Sequence, residues 1–124
     1  MFSSEHFLLS IESRYRFSIM EHRSILFGLV RLHVLYHASK EDVFGLEMIR
    51  ELEGHGYSLS PGTLYPLLHG MEREGYLKSA ERQSGGRIRK LYRATRKGKA
   101  ALGKARDQVR ELFGELFEGE SRSA

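Results

Sequence analysis

Cysteine and tryptophan are absent from this 124-residue chain, and proline occurs only twice. Without cysteine there can be no disulfide, thiolate zinc site, iron-sulfur cluster or cysteine nucleophile, and a reducing cytoplasm is the natural setting. Any metal would have to be held by histidines and carboxylates. Long apolar runs are missing too. Phe7, Leu8 and Leu9 are stopped by Ser10 and Glu12, too short a run for a signal-peptide core. The apolar stretch from Ile25 to Tyr36 is interrupted by Arg31 and His33, and it falls short of the roughly 20 residues a spanning helix needs. No membrane partner is therefore expected. The inventories of enzymes are also lacking: no glycine-rich phosphate loop joins a strand to a helix, no serine sits in an elbow motif, and Asp42 and Asp107 stand alone. The expectation is a protein that is not an enzyme and uses no cofactor.

What is present is an ordinary globular composition, 40% hydrophobic and 29% charged, enough for one domain with a modest core. The net charge of +4 says little until it is resolved along the chain. Residues 1–75 carry net −3, residues 76–106 carry net +10 and residues 107–124 carry net −3. A dense basic segment between two mildly acidic ones is the asymmetry of a nucleic-acid footprint.

Residues 1–22 leave two readings open, because Tyr15, Phe17 and Ile19 alternate with polar residues as in a strand, while Phe7, Leu8 and Ile11 fit a helical turn. From Arg23 to His37 apolar residues cover nearly every side of a helix, which must then be covered all round. In so small a protein a second subunit is the expected cover. Asp42 reads as the cap of a second helix over Val43 to Glu53, ended by Gly54. A third helix opens with Ser60 as N-cap and Pro61 at its first position, where a missing N–H costs nothing. Leu64, Leu67, Leu68 and Met71 form its buried stripe and Gly75 closes it. Two strands follow, Tyr76 to Gln83 and Ile88 to Ala94, joined by Ser84, Gly85, Gly86 and Arg87, with Gly-Gly as the hairpin turn signal. Thr95 caps a last helix, in which Leu102, Ala105, Val109, Leu112 and Leu116 are spaced 3, 4, 3, 4 as in a heptad seam.

The fold class expected is mainly α with a two-stranded β wing: a winged helix-turn-helix with an appended C-terminal dimerisation helix. Its divisions are an N-terminal extension at residues 1–22, the winged helix-turn-helix at 23–95, the dimerisation helix at 96–118 and a disordered tail at 119–124.

Duplex DNA carries about one negative charge per 1.7 Å of axis, so a protein that holds it needs several cations on one surface. Lys78, Arg82, Arg87, Arg89 and Lys90 supply them on the ribbon, and Gly86 lets the backbone approach phosphate. At the start of the third helix, Ser60 and Gly62 leave free N–H groups for phosphate, while Thr63, Tyr65 and His69 reach base edges or sugar. Pro66 removes the bond to the Gly62 carbonyl. For Tyr65 and Pro66, packing against the wing stays open beside DNA contact.

The run Ser60, Pro61, Gly62, Thr63, Leu64, Tyr65, Pro66, Leu67, Leu68, followed by Glu72, Gly75, Leu77, Gly86, Arg87, Tyr92, Thr95 and Gly98, resembles the signature of the PadR-like transcriptional regulators. The resemblance covers roughly residues 24–116. It implies a homodimeric winged-helix repressor that reads a pseudo-palindromic double-stranded operator, of the short subfamily with a single C-terminal helix. It also implies an effector pocket for a small aromatic or hydrophobic compound near the first and last helices. Phe27, Val30, Val34, Leu102, Val109, Leu112, Phe113, Leu116 and Phe117 are the candidates for that pocket or for the dimer interface. Lacking tryptophan, the chain lacks the stacking pair of some multidrug-binding relatives, which Phe113 and Phe117 only partly replace. Two other readings stand beside this one. A winged helix can serve as a protein-interaction adaptor. A metal-responsive regulator could use His33 and His37, which share one face of the first helix, although two imidazoles alone fall short of a tetrahedral set.

Overall fold

A computed structural model describes residues 23–122, with side chains to residue 118; the N-terminal extension expected at 1–22 lies outside the described residues. The chain divides into two units, Met1–Val30 and Arg31–Ala124. Of the first, the described part is the opening of helix α1 (Arg23–Lys40). There Val30 is buried, Ile25 and Leu29 are exposed, and the Arg23 guanidinium lies over the Phe27 ring.

The second unit holds the rest of α1, strand β1 (Val43–Phe44), helices α2 (Gly45–Gly54) and α3 (Pro61–Arg73), strands β2 (Leu77–Ser84) and β3 (Arg87–Ala94), and helix α4 (Arg96–Arg122). The sequence pattern predicts a helix from Val43 with Asp42 as its cap. Instead Val43 and Phe44 pair antiparallel with Tyr92 and Leu91, so the sheet has three strands in the order β1-β3-β2. A β-branched and an aromatic residue suit this pairing. Helix α2 accordingly starts at Gly45 behind Phe44, with no side-chain cap, and the Asp42 carboxylate turns to arginines of the wing instead.

The α3 stripe is buried as its spacing requires: Leu64 and Leu68 are fully covered, with Leu67 and Met71 beside them. Val34, Leu52, Leu77 and Tyr92 are buried as deeply, and Leu35 is buried too. Ser60 occupies the N-cap position in an extended conformation, but its hydroxyl faces the Thr63 hydroxyl at 3.3 Å rather than capping a backbone N–H. The hairpin is tighter than the four-residue connection expected. Ser84 pairs with Arg87, leaving Gly85 and Gly86 as a two-residue turn with φ of +57° and +77°. Positive φ at both central positions is the type I′ signature, whose twist matches a right-handed ribbon.

Thr95 caps α4 as expected. Its Oγ1 accepts the Gly98 N–H at 3.0 Å and donates to the Gly75 carbonyl at 2.5 Å, tying the start of α4 to the end of α3. Gly98 is there because nothing larger fits: a Cβ would collide with the Tyr76 carbonyl oxygen and press on Leu35. Helix α4 runs to Arg122, past the end at 118 expected from the heptad seam.

Candidate nucleic-acid interface

Pleating decides which wing side chains act together, since residues two apart share a face and directly paired residues lie on the same side. The register pairs Lys78 with Arg93, Arg82 with Arg89 and Ser84 with Arg87. These five cations therefore occupy one face of the ribbon. The opposite face carries Leu77, Ser79, Tyr92 and Ala94, and there Lys90 stands alone among the candidates, 4.0 Å from the Glu72 carboxylate of α3.

The five are not equally free. Asp42 bridges Arg82 and Arg93, the latter at 3.0 Å. Arg89 pairs with Glu47 of α2 at 3.1 Å and stacks over the Phe44 ring, 3.9 Å from its centroid. Arg82 approaches the same ring at 5.8 Å. Stacking and pairing hold both guanidinium groups in place without neutralising them permanently, because exposed ion pairs are worth only about 0–1 kcal/mol and a phosphate can replace a carboxylate partner. Lys78 and Arg87 have no ion-pair partner among the described residues.

Helix α3 presents the second half of the surface. Pro61, Gly62, Pro66 and His69 are exposed along it and Thr63 is half-buried, opposite the leucine stripe. Its first N–H groups are not all free: those of Thr63 and Leu64 bond the Ser60 carbonyl at 3.0 and 2.9 Å. Tyr65 is half-buried, and the protein itself occupies its hydroxyl end, which rests against Gly45 at the start of α2 so closely that a Cβ there would overlap the ring. Tyr65 thus packs against α2, whereas the sequence reading considers the wing. Its ring stands 6.4 Å from that of His69.

Glu72 secures the junction of α3 and the wing. Its carboxylate accepts the Ser79 N–H at 3.1 Å and the Ser79 hydroxyl at 2.5 Å. The Ser79 hydroxyl bond, ahead of the opposing effect of burial, holds the Glu72 carboxyl below its ordinary pKa, with Lys90 helping. Ser79 and Glu72 thereby fix the angle at which the ribbon leaves α3.

Among the candidates near the first and last helices, Val30 and Val34 are buried within the chain itself, Phe27 and Leu102 are half-buried, and the distal residues of α4 are open. Val109, Leu112, Phe113, Leu116 and Phe117 are 47–60% exposed, one apolar stripe along the helix. The Phe113 and Phe117 rings touch, with centroids 4.6 Å apart. Sequence reasoning missed Phe44 as the platform under Arg89, and Asp42 and Glu47 as partners of the wing arginines. Glu47 and Arg89 are 42 residues apart, and only the pairing of β1 with β3 brings them together.

Comparison with known proteins agrees with this architecture. Residues 34–104 match the Transcriptional regulator PadR-like family. Over 95 residues the chain is 48% identical to Transcriptional regulator Rv3488 of Mycobacterium tuberculosis, covering 77% of this chain and 89% of that protein. A crystal structure of a PadR family transcriptional regulator from Eggerthella lenta superposes with a TM-score of 0.69 at 26% identity, covering 89% of this chain and 95% of the other. A PadR-like transcriptional regulator from Bacillus cereus superposes with a TM-score of 0.63 at 30% identity, covering 80% and 94%.

Proposed function

This chain belongs to the PadR-like family of transcriptional regulators, a family of regulators and not of enzymes, and from that premise we propose that it is a sequence-specific DNA-binding repressor acting as a homodimer in the cytoplasm. The observation that carries DNA binding is the single ribbon face holding Lys78, Arg82, Arg87, Arg89 and Arg93, beside the exposed side of α3. In this reading α3 enters the major groove, with Gly62, Thr63 and His69 nearest the bases. Ser60, Pro66 and the turn at Gly86 approach the backbone, and Tyr65 braces α3 against α2. Lys90 contributes from the far side of the ribbon. The winged domain spans residues 23–95 and helix α4 provides the dimer contact through Val109, Leu112 and Leu116.

A mobility shift with DNA from upstream of the protein's own gene, at two salt concentrations, tests this. Retardation that weakens with salt and exceeds that of a scrambled duplex is expected. Replacing Lys78 and Arg87 together by Ala lowers the slope of log affinity against log salt by about 2, the share of two phosphate contacts. Unaltered function in that double variant would favour an adaptor role in protein contact. Phe113 and Phe117, stacked and open, support a hydrophobic or aromatic effector on α4. Release of the DNA on adding such a compound, lost in Phe113→Ala, is the matching outcome.

A further inference from the structure

Three imidazoles converge away from the wing. His33 and His37 lie one turn apart on α1, and His55 sits at the C-cap of α2, its N–H bonded to the Leu52 carbonyl at 3.0 Å. One ring nitrogen from each lies within 4.8 Å of the others. A carboxylate adjoins two of them: Oε1 of Glu51 is 3.3 Å from Nε2 of both His37 and His55. The His33 and His55 rings stand 4.6 Å apart, with the Tyr57 ring edge-on to His33 at 5.3 Å. His33 and His37 are half-buried while His55 is exposed, so the cluster is anchored on one side and open to solvent on the other.

The distances suit a small ion. Two nitrogen or oxygen ligands on a tetrahedral zinc, each about 2.0–2.1 Å from the metal, stand about 3.4 Å from one another. The Glu51 edges to His37 and His55 already have that length, and the edges among the three imidazoles exceed it by at most about 1.4 Å. Imidazole nitrogens with one carboxylate and no thiolate select borderline first-row dications over calcium or magnesium.

We propose that His33, His37 and His55, with Glu51 as fourth ligand, form a binding site for a zinc-class transition-metal dication. The ion ties α1 to the turn between α2 and α3, five residues before Ser60 opens α3. The site stands on its own geometry and does not depend on the DNA-binding reading.

The test is titration of the metal-free full-length protein with Zn²⁺ by calorimetry, and with Co²⁺ by visible absorption. One ion per chain is expected, with the intense visible bands of four-coordinate Co²⁺. Exposed His55 can be changed without disturbing the core, so His55→Gln should keep the parent's melting temperature in chelator while weakening Zn²⁺ binding about hundredfold or more. His37→Gln should do the same, and Glu51→Gln should weaken it about 10–100-fold, as loss of a supporting carboxylate does. Absence of saturable binding overturns the proposal. So does binding that His55→Gln and His37→Gln leave unchanged, which would place the ion on other groups.

Discussion

Replacing Leu112 and Leu116 by Ala should separate the dimer without unfolding the chain. Both side chains belong to the α4 stripe, and they are 47% and 57% exposed. Full burial of a leucine stabilises by about 1.5–3 kcal/mol, so covering the exposed half contributes about 1 kcal/mol per side chain. Three such residues on each of two chains, Val109, Leu112 and Leu116, give a gross gain of about 6 kcal/mol, against an association cost of about 4–15 kcal/mol. The stripe alone therefore supports at most a weak dimer, and the other exposed apolar residues of the chain, Tyr36 among them, add to it. The double substitution removes four of these six side chains, about 4 kcal/mol, or roughly a thousandfold in dissociation constant. Alanine is the better helix former, so the α4 helix itself survives. Sedimentation over a concentration series measures the shift, and far-ultraviolet circular dichroism checks the helix. A variant that dimerises as tightly as its parent would refute the assignment of α4 as the contact, and a parent that stays monomeric at every concentration would refute the dimer itself.

Two further outcomes concern the junction between α3, the wing and α4. Gly98→Ala sets a Cβ against the Tyr76 carbonyl, which already accepts the Thr95 N–H at 3.0 Å. Backbone must move, at a cost of about 3 kcal/mol and a fall of about 10 °C or more in melting temperature; an unchanged melting curve would show that the contact is not tight. Glu72→Gln removes the charge held by Ser79. Because the Glu72 carboxyl is held below its ordinary value in the folded protein, its contribution is present at neutral pH and is lost as pH falls from about 4 toward the folded value. With the group a third exposed, the variant should be about 1 kcal/mol less stable at pH 7. The gap to the parent should close in acid. A gap that widened on acidification would contradict the sign.

The features legible in the sequence are those written in local chemistry. Pro61 after Ser60 marks where α3 begins, the spacing of Leu64, Leu67, Leu68 and Met71 gives its buried side, Gly85 and Gly86 mark the turn, and Thr95 is the cap of α4. Each depends on neighbours within a few residues. What escaped the sequence depends on distant pairing. A two-residue strand has too little length for a period, so Val43 and Phe44 read as a helix start. Asp42 looks like a cap until β3 brings Arg93 beside it. His55 looks like a linker residue until the end of α2 lies against α1 and sets it among His33 and His37. The charge pattern located the basic ribbon correctly, yet the division of its cations into one face of five and the opposed Lys90 follows only from the register.

The most direct test of a winged helix that reads sequence as a dimer is a nuclease footprint of the purified protein on DNA upstream of its own gene. Two α3 helices related by a two-fold axis reach successive major grooves, so two protected half-sites are predicted about one helical turn, or about 10 base pairs, apart and related by inverted symmetry. Protection confined to a single half-site would contradict the dimer, and uniform protection without preferred positions, or none at all, would contradict sequence-specific binding.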